Sequence, residues 1–152
     1  MYLFAQAAKD VEDKCSVLLT SSSFKIGELH KGIPSAGIYL FSENGQALYV
    51  GRTNNLRKRL QCHIRNDHNQ ATFAFLLARD ETGKIKATYR KTGSRCELMK
   101  DPKFKAAFDS ARERILRMDV QFIEETDPTR QALLEICPAL SSGAKYNDFD
   151  NH

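Results

Sequence analysis

Gly37-Ile38-Tyr39-Leu40-Phe41-Ser42-Glu43-Asn44-Gly45-Gln46-Ala47-Leu48-Tyr49-Val50-Gly51 places two short aliphatic and aromatic runs on either side of Glu43-Asn44-Gly45. Such runs around an Asn-Gly pair predict a β-hairpin. Its register decides which side chains share a face, because neighbours along a strand point to opposite sides of the sheet. A two-residue turn at Asn44-Gly45 pairs Tyr39 with Val50 and sends Tyr39 and Tyr49 to opposite faces. A three-residue loop, with Gly45 in the left-handed position of a bulge, pairs Tyr39 directly with Tyr49. The second register is the expectation.

Outward from the hairpin, the periodicity is mostly helical. Leu3, Phe4, Ala7, Ala8, Val11, Cys15, Leu18 and Leu19 predict a helix over the first twenty residues, lying on the outside and ended by Ser21-Ser22-Ser23. After the hairpin, Thr53, Asn54 or Asn55 can cap a helix in which Leu56, Leu60 and Ile64 form a buried stripe bordered by Arg59 and His63. Residues 69–79 read as a further helix, 80–83 as a turn and 85–89 as a third strand. Pro102 opens a long amphipathic helix to about Met118, Val120 begins a strand reaching Glu124, and Asp127-Pro128 starts a helix that reaches Cys137 before Pro138. The fold class expected is α+β or α/β, with a small, mainly antiparallel central sheet flanked by helices. One domain covers 1–152: an N-terminal helical extension, 1–32, and a core, 33–149.

The apolar runs are far shorter than the roughly 20 residues of a membrane span, and the N-terminal region lacks a signal-peptide pattern, so no membrane partner and a cytoplasmic location are expected. Cys15, Cys62, Cys96 and Cys137 have no C-x-x-C spacing and read as reduced thiols. The net charge of +4 is modest but unevenly distributed. Arg52, Arg57, Lys58, Arg59 and Arg65 occur with no acidic residue between them, and Lys84, Lys86, Arg90, Lys91 and Arg95 form a second basic stretch. Phosphate backbones suit such clusters, because neutralising them releases counterions. Two phenols, a guanidinium, an imidazole and a distant carboxylate, Glu135, are a kit for attacking a backbone phosphate.

The residues Gly37-Ile38-Tyr39, Tyr49-Val50-Gly51, Arg59, His63, Ala132-Leu133-Leu134-Glu135 and Tyr146-Asn147-Asp148-Phe149 together resemble the GIY-YIG endonuclease family over roughly residues 33–149. Val50 replaces the isoleucine of the family name and keeps a β-branched residue there. The resemblance implies a metal-dependent DNA endonuclease leaving 5′-phosphate and 3′-hydroxyl ends, with Tyr39, Tyr49, Arg59, His63, Glu135 and Asn147 as catalytic residues. It makes Glu135 the ligand of a single Mg²⁺, with Mn²⁺ able to substitute; Mg²⁺ suits a lone carboxylate because it keeps several waters. Tyr39 would position or deprotonate the attacking water. With an ordinary pKa of about 10, it needs a nearby cation, or His63 taking its proton, to act as a base. Tyr49 would orient the phosphate or water, and Arg59 would present a planar fork to the scissile phosphate.

Asn147 would bond a neighbouring loop or a metal-site water. Arg52, Thr53, Arg57 and Lys58 are read as phosphate contacts in DNA binding, while His68, His30 and His152 are weaker candidates. Gly37 and Gly51 allow close approach at the strand ends. The rival readings are an inactive or weak nucleic-acid-binding module of the same fold and a basic protein with an acidic protein partner. The chain reads as a stand-alone enzyme that gains specificity as a homodimer, by reading DNA shape through residues 84–105, or from a protein partner.

Overall fold

The computed structural model describes residues 2–84 and 94–147. The chain divides into two compact units, Met1–Arg59 with Met118–His152, and Leu60–Arg117. The expected strand at 85–89, and Asp148 and Phe149 of the C-terminal motif, lie outside the described residues.

The first unit is built on a three-stranded antiparallel sheet in the order β2-β1-β3, from β1 (Gly37–Glu43), β2 (Gln46–Thr53) and β3 (Asp119–Glu124). Helices α1 (Tyr2–Thr20) and α6 (Pro128–Ser142) pack on each other, and α6 also packs on β2. This is an α+β arrangement, as the alternation of strand and helix periods implied. Val11, Cys15 and Leu18 of α1, Ile38 and Leu40 of β1, Val50 of β2 and Leu134 of α6 share one buried core. At about 1.5–3 kcal/mol for each large aliphatic side chain, this burial is what holds the helices on the sheet. All four cysteines are free thiols, as expected, and those of Cys15 and Cys137 share a hydrogen bond between α1 and α6.

The hairpin corrects the expected register. Asn44 and Gly45 both have positive φ, 52° and 78°, and Glu43 pairs with Gln46, so the turn has two residues. Two successive left-handed residues are what such a turn demands, and Asn and Gly are the residues that tolerate them best. A bulge then shifts the register between Phe41 and Ser42: Ser42 pairs with Ala47 and Phe41 with Tyr49, leaving Leu48 as the extra residue. Tyr39 therefore pairs with Gly51 rather than with Tyr49 or Val50. The bulge restores the parity that the short turn would have broken, and Tyr39 and Tyr49 still share a face.

Helix α2 (Leu56–Cys62) carries the chain into the second unit, which contains α3 (Thr72–Thr82), α4 (Arg95–Lys100) and α5 (Pro102–Leu116). Asn55 caps α2, its Oδ1 accepting from the Lys58 amide at 3.1 Å. The helix stops before His63 and Ile64, contrary to the four-residue stripe. The amides of His63, Ile64 and Arg65 donate to Leu60, Gln61 and Cys62, three residues back, and this tightening ends the α-helical spacing. Helix α3 starts late because Asp67 Oδ1 accepts from the Asn69 amide in a local turn, and it runs through the expected turn at 80–82 to Gly83, whose φ of 75° ends it. Phe73, Phe75, Phe104 and Phe108 are fully buried where α3 and α5 pack.

Helix α6 passes through Pro138 and ends only at the left-handed Gly143. Proline removes the amide that would bond the Leu134 carbonyl, which is why the sequence argued for a stop. Buried Leu134 and Ala139 flank the missing bond, and their packing in the core carries the helix across it.

Candidate active site

Tyr39 is fully buried on β1, and its ring lies over Gly51 on the opposite strand. A Cβ at Gly51 would sit 2.2 Å from the Tyr39 Cζ and Oη, so only glycine fits there. Gly37 has a different reason: a Cβ there would lie 2.0 Å from the Ile123 carbonyl oxygen of β3. The Tyr39 and Tyr49 rings are 6.4 Å apart on the shared face, within ordinary aromatic contact. Arg59, in the last turn of α2, donates from Nε to the Tyr39 hydroxyl at 3.4 Å, and its side chain also hydrogen-bonds Tyr49. Burial pushes the Tyr39 phenol well above its usual range, with the neighbouring Tyr49 adding to the rise, and this outweighs the opposing pull of Arg59. Tyr49 is raised in the same way, first by burial. Both hydroxyls are therefore protonated at neutral pH. The cation that Tyr39 needs to act as a base is present, but desolvation wins.

Glu135 projects from the middle of α6 and is half-buried. Its charge acts on both phenols, raising each further. Burial pushes its own carboxyl above the usual range, and Arg52 offsets part of that rise. Arg52 Nε lies 3.1 Å from Glu135 Oε2, so the residue read as a phosphate contact is paired to the candidate metal ligand.

Asn147 uses its side chain as a splint. Its Oδ1 accepts from the Val50 amide and its Nδ2 donates to the Val50 carbonyl, each at 2.8 Å, while the Tyr146 amide donates to Leu48. The C-terminal segment thus closes the outer edge of β2 and fixes the strand that carries Tyr49 and Gly51.

His63 is fully buried in the second unit, edge-on to Phe73 at 6.4 Å. Arg57 donates to the His30 carbonyl. Thr53 Oγ1 accepts from the Asn55 amide at 3.0 Å, and Lys58 is exposed. Of the four residues read as DNA contacts, Lys58 alone is exposed with its side chain bonded to none of the described residues.

Among the described residues, no three His, Cys, Asp or Glu side chains gather to hold a metal. An ion at Glu135 would rest on one protein carboxylate, with waters and phosphate oxygens completing its shell. That donor set fits Mg²⁺ and not a closed zinc site. The Arg52 guanidinium shows that the carboxylate already attracts a cation.

A small antiparallel sheet thus carries two buried phenols beside the Arg59 guanidinium, with the Glu135 carboxylate acting on both. Residues 35–95 match the family model described as the UvrC-like GIY-YIG domain, and this match supports a GIY-YIG endonuclease domain over that stretch. The match includes Tyr39, Tyr49, Arg59 and His63; Glu135 and Asn147 follow it. No curated protein and no solved structure matches the chain. The pairing of Arg52 with Glu135 had no local signal in the sequence, since 83 positions separate the partners. Gln131 was also missed: four residues before Glu135 on α6, its Nε2 donates to the Glu125 carbonyl and to Asn54 Oδ1. A polar residue among Ala132, Leu133 and Leu134 was the available sign.

Proposed function

We propose that this chain is a metal-dependent DNA endonuclease that hydrolyses phosphodiester bonds with a single Mg²⁺, for which Mn²⁺ can substitute. The observation that carries the reading is the convergence of Tyr39, Tyr49, Arg59 and Glu135 within one unit. The bound ion supplies electrostatic stabilisation of the phosphate charge. Glu135 is the residue that would hold the ion. Arg59 presents its guanidinium to the scissile phosphate, where charge on the non-bridging oxygens grows in the transition state. Tyr39 and Tyr49, kept protonated by burial, act as hydrogen-bond partners that orient water and phosphate. Asn147 positions β2, and His63 is assigned the proton-accepting role on the family resemblance alone. Arg52, paired with Glu135 in this structure, would contact phosphate if that pair opened, and Thr53, Arg57 and Lys58 add positioning contacts.

Nicking of supercoiled plasmid in Mg²⁺, compared between wild type and Glu135→Ala, tests this reading. Wild type is expected to nick and the variant to lose at least about a hundredfold in rate. The pairing of Arg52 with Glu135 favours a second reading, a binding module whose carboxylate is permanently neutralised. That reading prevails if wild type leaves supercoiled, branched and single-stranded DNA intact across divalent metals.

A further inference from the structure

In the second unit, two guanidinium groups share one phenyl ring. Arg79, in the last turn of α3, places its Cζ 4.7 Å from the centroid of Phe75, and Arg95, the first residue of α4, places its Cζ 5.2 Å from the same centroid. The His68 ring lies 6.3 Å from that ring, tilted by 39°. Phe75 is only 1% exposed and packs on Phe104 at 5.1 Å, so it is a fixed platform rather than a mobile side chain.

The ring face attracts each cation but cancels neither charge. Among the described residues, no carboxylate pairs with Arg79 or Arg95. The sequence from Lys84 to Arg95 contains no Asp or Glu, while it contributes Lys84, Lys86, Arg90, Lys91 and Arg95. Two buried polar atoms here, Arg79 Nε and His68 Nε2, have no hydrogen-bond partner among the described residues. Buried polar groups left unmatched are costly, and a half-buried guanidinium beside a second one is costlier still.

We propose that Arg79, Arg95 and His68 form a phosphate-binding site on the Phe75 platform, and that its ligand is a backbone phosphate of a nucleic-acid strand. A phosphate offers several acceptor oxygens and a negative charge, which match the guanidinium forks and the unmatched nitrogens. Burial lowers the Arg79 guanidinium, and the charge of Arg95 lowers it further; an anion relieves both effects. The assignment to nucleic acid rests on the nuclease reading, whereas the demand for an anion does not.

The test measures binding of labelled duplex and single-stranded DNA in EDTA over a salt series, for wild type, Arg79→Gln and Arg95→Gln, with circular dichroism to establish folding. Each substitution is expected to weaken binding about three- to tenfold and to reduce the salt slope by about 1. Arg95→Gln, which alters a side chain at a helix start, keeps the test valid if Arg79→Gln does not fold. In parallel, inorganic phosphate replaces chloride at equal ionic strength, and the melting temperature of wild type should rise more than that of either variant. Folded variants with wild-type affinity, slope and phosphate response overturn the site; if wild type still nicks plasmid, the nuclease reading survives that failure. A phosphate response that depends on Arg79 in a protein that neither binds nor nicks DNA overturns the nucleic-acid assignment together with the nuclease reading.

Discussion

Arg59→Lys keeps a positive charge beside Tyr39 and removes the planar fork that reaches both phenols. Lysine can still attract DNA, but as a point charge it cannot hold two partners in one plane. The expected outcome is a fall of about 10²–10³ in single-turnover nicking rate with less than about a tenfold change in DNA affinity. Wild-type turnover in that variant removes Arg59 from the chemistry. Arg52 makes the opposite kind of contribution on the proposed reading, because its guanidinium is paired with Glu135 and would compete with an ion there. The pair is partly exposed and therefore weak, so Arg52→Gln should tighten Mn²⁺ binding by only about two- to fivefold. Paramagnetic resonance of free Mn²⁺ reads this directly, and looser binding would assign Arg52 to the ion's support instead.

Among the elements, the hairpin shows how much of this site the sequence disclosed. The strands, the turn and the shared face of Tyr39 and Tyr49 were legible, since alternation and Asn-Gly chemistry are local. The device was not: a bulge at Leu48 depends on the C-terminal segment, whose Tyr146 amide meets the Leu48 carbonyl and whose Asn147 brackets Val50. The same limit applies to α6, where Pro138 argued locally for a stop and packing carried the helix through. Gly51→Ala tests the geometry that resulted. The added Cβ meets the Tyr39 hydroxyl region at 2.2 Å, so the ring must move or the strands must part. This should cost about 1–3 kcal/mol in chemical denaturation and, by displacing Tyr39, about a hundredfold in nicking rate.

Elsewhere in the first unit, Glu125 is 4% exposed and joins α1 to the end of β3. Burial alone would raise its carboxyl, but the Asp127 amide and Lys14, at 3.0 Å each, outweigh that and hold it below its usual range. A folded-state pKa below the unfolded one contributes stability that is present above about pH 4.5 and is lost as pH falls through the lower folded value. Glu125→Gln should therefore lose about 1–2 kcal/mol at pH 7 and progressively less as acid protonates the wild-type carboxylate. An equal loss at pH 3 and pH 7 would show that shape, not charge, is the contribution.

For the whole molecule, charge distribution and metal dependence separate two functions that one active site could blur. The net charge of +4 understates the field, because the clusters at Arg52–Arg65 and Lys84–Arg95 contain no acid. Binding driven by such clusters depends on counterion release and needs no metal, whereas the proposed hydrolysis needs the ion at Glu135. Why the second half of the kit was harder to read follows from the same division. Tyr39, Tyr49, Arg59 and His63 stand within 25 positions and form a recognisable motif, while Glu135 gains meaning only when α6 packs beside β2 and brings its charge to the phenols. Removing divalent ions with EDTA should abolish plasmid nicking and leave DNA binding within about threefold of its value in Mg²⁺. The logarithm of the association constant should fall with the logarithm of salt at a slope of about −3 to −5, as for roughly three to five neutralised phosphates. Restoring Mg²⁺ should restore nicking in wild type but not in Glu135→Ala, although both proteins bind DNA with the same slope. Loss of binding together with nicking in EDTA would instead mean that the ion, and not the basic clusters, holds the strand.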